Sequence, residues 1–196
     1  MKNNYLLATA LGIALLPIFL ITWFSPDDYG GNEADGLLMS GRRLPNFILT
    51  DVDGGRVSLD TFKGRVVLIF FGYTNCPDVC PMALKKYHEL RALLGEKSKD
   101  VAFIFITTDP HRDSPEKMHS FIKPYGEDII ALTGTWQELA EVWKTYHVRT
   151  LEKDETTAFV THSAVIYLGD RELILRGILT PEMPAEEMLN IIIKFV

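Results

Sequence analysis

The sequence predicts an α/β sandwich preceded by one transmembrane helix, and three observations carry that reading. Residues 66–71 (VVLIFF) and 101–107 (VAFIFIT) are near-continuous apolar runs, the pattern of strands buried on both faces. Residues 81–94 between them follow helical periodicity. The order strand, helix, strand predicts a right-handed parallel unit with both strand carboxyl ends at one edge. Residues 5–24 (YLLATALGIALLPIFLITWF) carry no charge, and an apolar helix of about twenty residues spans the hydrocarbon core of a bilayer.

Lys2 flanks residues 5–24 on one side, and Asp27, Asp28, Glu33 and Asp35 on the other, which places the following domain outside the cytoplasm. No small-x-small cleavage pattern precedes Ser25, and the apolar run exceeds that of a usual export signal, so residues 1–24 are expected to form an uncleaved anchor. Trp23 suits the membrane interface. Residues 25–43, with Pro26, Gly30, Gly31, Gly36 and Gly41, read as a flexible tether. Residues 44–196 remain, enough chain for one hydrophobic core.

Inside that domain, residues 46–59 alternate around Asp53-Gly54-Gly55 and predict an amino-terminal hairpin. Ser114 before Pro115 and Glu116 predicts a capped short helix ending near Pro124. Thr135-Trp136-Gln137-Glu138 is a capping box, and Trp136, Leu139, Ala140 and Trp143 recur at helical spacing, so both tryptophans are expected in the core. Residues 163–168 and 172–177 predict a second hairpin across Gly169-Asp170, and residues 184–195 a closing amphipathic helix.

Composition narrows the function. With 47% hydrophobic and 23% charged residues in a chain of 196, disorder, collagen and coiled coil are excluded. Twenty basic against 26 acidic residues give a net charge of -6 without any basic cluster, so no nucleic-acid partner is expected; the acidic excess serves solubility. Cys76 and Cys80 are the only cysteines, which excludes a disulfide-rich framework and confines cysteine chemistry to one local pair.

That pair lies in Tyr73-Thr74-Asn75-Cys76-Pro77-Asp78-Val79-Cys80-Pro81, directly after the VVLIFF strand and where a helix begins. Unpaired N–H groups at a helix start favour thiolate. Residues four apart on a helix face have Cβ atoms about 5–6 Å apart. Metal–sulfur bonds bridge that separation more readily than a disulfide, whose Cβ atoms stand about 3.5–4.5 Å apart. A redox disulfide remains the other reading for an exported protein, and a third ligand decides between them. His88 and His119 sit in helical patterns among charged neighbours, His147 closes the tryptophan helix, and His111 lies in the polar loop Pro110-His111-Arg112-Asp113. His162 immediately precedes an apolar strand, and shares the cysteines' edge if that strand runs antiparallel to VVLIFF. Asp109 ends the second parallel strand at the same edge, as a turn former before Pro110 or as a group that orients a ligand. Thiolates with imidazole favour copper(I) or zinc.

The stretches 71–81 (FGYTNCPDVCP), 108–116 (TDPHRDSPE), 132–135 (LTGT) and 161–164 (THSA) together resemble the Sco/SenC family of membrane-anchored, thioredoxin-like copper proteins that help assemble the CuA centre of cytochrome c oxidase. The resemblance runs from about Leu44 to the carboxyl terminus. It implies a thioredoxin-like fold with an amino-terminal β-hairpin extension, copper ligation by Cys76, Cys80 and His162, and a supporting role for Asp109. It also implies the antiparallel strand after His162, redox activity of the Cys76/Cys80 pair, and residence on the outer side of a bacterial cytoplasmic membrane. The implied partners are cytochrome c oxidase subunit II, a thioredoxin-like reductant and another copper chaperone. Two positions depart from the family pattern, Thr161 in place of an acidic residue and His111 in place of Glu.

The competing function is a thiol-disulfide oxidoreductase or a redox or copper sensor of the cell envelope, since one fold hosts several chemistries. Dithiol oxidoreductases usually carry C-x-x-C, whereas three residues separate the cysteines here. No proline precedes the SAVIYL strand, where thioredoxins place a substrate-binding cis-proline.

Overall fold

The computed structural model describes residues 41–148 and 164–196. The expected transmembrane helix, nearly all of the expected tether, and His162 lie outside the described residues.

Seven strands form one mixed sheet in the order β2-β1-β5-β4-β3-β6-β7. In chain order they are β1 (Ile48–Asp51), β2 (Arg56–Ser58), β3 (Val66–Gly72), β4 (Val101–Thr107), β5 (Ile130–Thr133), β6 (Ile166–Gly169) and β7 (Leu175–Leu179). The α-helices among the described residues are α1 (Val79–Leu94), α2 (Pro115–Ile122), α3 (Trp136–Thr145) and α4 (Ala185–Ile192). β3 and β4 pair in parallel from Val66↔Val101 to Gly72↔Thr107, with α1 between them in sequence. Every residue of both strands is buried, which is why their sequences are continuous apolar runs.

Alternate residues of β3 feed two cores. Val66, Leu68 and Phe70 pack with α1, α2 and α4 through residues such as Leu84, Tyr87, Met118 and Met188. Val67, Ile69 and Phe71 pack on the other face with α3 and with Leu44, Phe47 and Leu59. Tyr87 fastens α1 to the sheet, its hydroxyl donating to the Leu68 carbonyl at 3.0 Å with the Ile104 carbonyl 3.3 Å away. Full burial pushes that phenol well above its ordinary pKa.

The hairpin forms where expected, with Asp51 Oδ1 accepting the Asp53 and Gly55 N–H groups at 3.0 and 2.7 Å, and Gly54 at φ 86°. β5 is a strand that periodicity does not reveal. Its four residues acquire that state by pairing, in parallel with β4 (Ile104↔Ile130) and antiparallel with β1 (Thr50↔Thr133). β5 thus ties the hairpin into the main sheet.

β6 and β7 begin about three residues later than their sequence pattern predicts. The Asp170 carboxylate accepts the Glu172 and Ile174 N–H groups, each at 2.9 Å, and so extends the turn through residue 174. Both tryptophans were expected in the core, and only Trp143 is there, 3% exposed. Trp136 is 45% exposed because it occupies the first position of α3, where the helix has not yet turned onto the sheet.

Gly72 ends β3 for a steric reason. A Cβ at that position would stand 2.8 Å from the Phe70 and Phe105 rings and 2.9 Å from the Cys80 sulfur. Gly72→Ala is therefore expected to cost about 1–3 kcal/mol of stability through overpacking, measured by urea denaturation; a wild-type midpoint would show that the neighbours yield freely.

α3 is capped as its sequence predicts, with Thr135 accepting from the Glu138 N–H and Glu138 returning to the Thr135 N–H at 2.8 Å. Thr135→Ala is expected to cost about 1 kcal/mol. The Arg56 hydrogen bond, with the two from Thr135, holds the Glu138 carboxyl at about 2, below its ordinary 4.5. A carboxyl depressed on folding stabilises above its unfolded value and loses that contribution as pH falls from about 4.5 toward 2. Exposure of the ion pair to solvent keeps the effect small. Urea unfolding between pH 6 and 3 is expected to show a shallower acid loss for Glu138→Gln than for the wild type, and equal slopes would contradict this.

Candidate metal centre at the sheet edge

The chain leaves β3 at Gly72 and turns through 73–76, the Cys76 N–H donating to the Tyr73 carbonyl at 3.2 Å. α1 then starts at Val79, with Asp78 as its N-cap making no side-chain capping bond. The Cys80 N–H, one of the donors that every helix start leaves unpaired, points instead to the Cys76 sulfur at 3.4 Å. Cys76 is thus not on the helix face as its spacing suggested; it lies ahead of the helix and does the work of a cap. Both cysteines are in the thiol form and buried, Cys80 completely and Cys76 to 7% exposure.

The helix start was expected to ease ionisation of the pair, and for Cys80 burial outweighs it. Burial pushes the Cys80 thiol far above its ordinary range, against a backbone hydrogen bond from Tyr73 and with further upward pushes from Cys76 and the Asp113 charge. Cys80 is accordingly the inner, strongly desolvated sulfur, pressed against Gly72, and Cys76 the outer one.

The loop after β4 lies beside the cysteine turn, joined to β3 where the Thr108 N–H donates to the Gly72 carbonyl at 2.7 Å. Asp109 is in that loop and 2% exposed. Its carbonyl accepts the Arg112 and Asp113 N–H groups at 3.1 and 3.0 Å, so it does form the turn. Its side chain does more. Oδ2 is ion-paired with Arg112, while Oδ1 is buried without a hydrogen-bond partner among the described residues. An orphaned buried acceptor is costly, and a donor or cation brought to this edge would satisfy it.

Asp113 is the residue that sequence reasoning passed over. It is 1% exposed and grips the cysteine turn, taking the Thr74 hydroxyl at 2.5 Å and the Thr74 N–H at 3.2 Å. Its other oxygen takes the Thr107 hydroxyl at 2.7 Å, and Thr107 Oγ1 in turn accepts the Asp109 N–H at 2.9 Å. Burial raises its pKa although the Thr74 and Thr107 bonds oppose that. The one available signal was a second acid, four residues after Asp109, in the same polar loop. On the outside of the same junction, Lys117 Nζ donates to Asn75 Oδ1 at 2.8 Å and to the Arg112 carbonyl at 3.2 Å.

Of the histidines, His88, His119 and His147 are exposed on or at the end of helices. His111 is exposed too, its ring 5.3 Å from that of Trp136, which meets Trp143 edge-on. β6 runs antiparallel to β3, with Ile166 opposite Phe70. The chain therefore enters β6 from the edge that carries the cysteines. Among the described residues no three His, Cys, Asp or Glu side chains close around a metal. What they supply is two soft sulfur donors, which suit a soft, thiophilic ion.

Comparison with known proteins agrees with this geometry. The family model described as SCO1/SenC matches residues 40–196. Protein sco1 of Schizosaccharomyces pombe is 36% identical over 132 residues, 64% of this chain and 50% of that protein. A SCO2-like protein of Rickettsia prowazekii is 34% identical over 129 residues, 64% of this chain and 63% of the relative. These matches thus span about half to five-eighths of the relatives' length. Among solved structures, copper-bound ScoI of Bradyrhizobium japonicum superposes with a TM-score of 0.70 at 32% identity, covering 78% of this chain and 98% of that one. Copper-bound yeast Sco1 gives 0.68 at 30% identity, covering 76% and 86%. The fold is the Sco-type thioredoxin-like α/β fold with a mixed sheet and four helices among the described residues, and the chain belongs to the SCO1/SenC family.

Proposed function

We propose that this chain is a membrane-anchored copper metallochaperone that takes copper(I) as cargo on Cys76, Cys80 and His162 and assists assembly of the CuA centre of cytochrome c oxidase, with subunit II as recipient. The observation that carries the reading is the thiol-form Cys76–Cys80 pair, buried together where β3 passes into α1. Two thiolates bind a soft monovalent ion strongly and displace their protons in doing so, which offsets the burial that otherwise keeps Cys80 protonated. The copper-bound state of the Bradyrhizobium and yeast relatives supports copper over zinc.

The direction from which the chain enters β6 supports His162 as the third ligand. The orphaned Oδ1 supports Asp109 as a group that helps hold the ion or its ligands. Residues 5–24 serve as the anchor and keep the domain on the extracytoplasmic side of a bacterial cytoplasmic membrane. There the dithiol tends to oxidise, so a thioredoxin-like reductant prepares it and a second copper chaperone supplies the metal.

The purified reduced protein is expected to bind one copper(I) in competition with a chromogenic chelator. His162→Ala is expected to weaken that binding at least about tenfold; unchanged affinity would remove His162 from the ligand set. Oxidation of Cys76 and Cys80 to the disulfide is expected to abolish copper(I) uptake, because the same sulfurs serve both. Equal uptake by the disulfide form would overturn the assignment and leave thiol-disulfide exchange as the function of the pair.

A further inference from the structure

Asp113 is a buried carboxylate that binds neither cysteine and receives no basic side chain among the described residues, since the neighbouring Arg112 pairs with Asp109. Its three hydrogen-bonding groups come from the cysteine turn and from strand β4. Thr74, two residues before Cys76, gives its N–H and its hydroxyl, and Thr107 at the end of β4 gives its hydroxyl. The Tyr73–Cys76 turn is thereby fastened to a strand whose position the sheet fixes.

We propose that Asp113 is a positioning residue that holds the Cys76 turn in the dithiol, metal-accepting arrangement. The proposal rests on the copper-binding reading for its purpose but not for its test. Disulfide formation exchanges the hydrogen bond between the Cys80 N–H and the Cys76 sulfur for a bond between the two sulfurs, and the turn that carries Cys76 is the one Asp113 clamps. The clamp opposes oxidation and keeps Cys76 placed for an incoming ion. Since it acts through accepted hydrogen bonds, an amide of the same shape serves in part. Thr107 Oγ1, which also accepts the Asp109 N–H, joins the clamp to the loop that carries the unpartnered Asp109 oxygen.

The test equilibrates the purified full chain with oxidised and reduced glutathione. In that reaction Cys76 and Cys80 lose two electrons and two protons to one oxidised glutathione, giving the protein disulfide and two reduced glutathiones. Asp113→Ala is expected to shift the equilibrium constant about tenfold toward the protein disulfide and to weaken copper(I) binding about tenfold, with Asp113→Asn restoring most of both. A folded Asp113→Ala protein with the wild-type glutathione equilibrium overturns the proposal, as does an Asp113→Asn protein no better than the alanine variant. Should Asp113→Ala not fold, Thr74→Val removes the hydroxyl arm alone. It is then expected to shift the equilibrium the same way by less, and no shift overturns the proposal. Absence of copper(I) binding by the wild type refutes the proposed function while the glutathione equilibrium still decides the clamp.

Discussion

The parallel pairing of β3 with β4 over the register Val66↔Val101 to Gly72↔Thr107 is the constraint from which the rest of this molecule follows. Both strands are buried throughout, so neither can slip by a residue without sending a core side chain to the wrong face. The pairing therefore fixes, to the residue, where the two strands end. Gly72 passes into the cysteine turn and Thr107 into the Asp109–Asp113 loop, and the Thr108 N–H on the Gly72 carbonyl holds these exits side by side. Ligands of open α/β sheets collect at such carboxyl ends.

Packing at that edge makes the two sulfurs unequal. Cys80 is on α1, which Tyr87 fastens to the sheet, and its sulfur fills the space that Gly72 leaves empty. Cys76 is on a turn and borrows its hydrogen bond from the helix start. One donor is thus fixed by the core and the other by a clamp of three hydrogen-bonding groups on Asp113. Removing a carboxylate from water costs several kcal/mol, while hydrogen bonds to a charged group return roughly 1.5–3 kcal/mol each. The two are of similar size, and the raised pKa of Asp113 says that burial retains the edge. Such a group is held in place by the fold more than it stabilises the fold.

Much of this was legible in the residues. Two-sided burial of β3 and β4, the capping boundaries of α2 and α3 and the Asp51–Gly55 turn follow from local chemistry that the sequence displays. β5 was not legible, because four residues carry no period of their own and become a strand only between β4 and β1. Trp136 was misassigned to the core since a helical repeat does not say at which turn a helix meets the sheet. At the site, the cysteine pair and Asp109 were evident from motif and position. The capping geometry of Cys76 and the grip of Asp113 on Thr74 were not: the first depends on the chain turning ahead of α1 instead of continuing its helix, and the second on bringing together residues 39 apart in the chain.

The central claim is that two cysteine sulfurs of this edge hold copper(I). X-ray absorption at the copper edge, recorded on the full chain loaded under reducing conditions, tests it most directly. The account requires one copper per chain with two sulfur scatterers and an imidazole nitrogen, and loss of both sulfurs from the shell when Cys76 and Cys80 are replaced by serine. A shell of oxygen and nitrogen alone in the wild type, or one that survives the serine replacements, would contradict it.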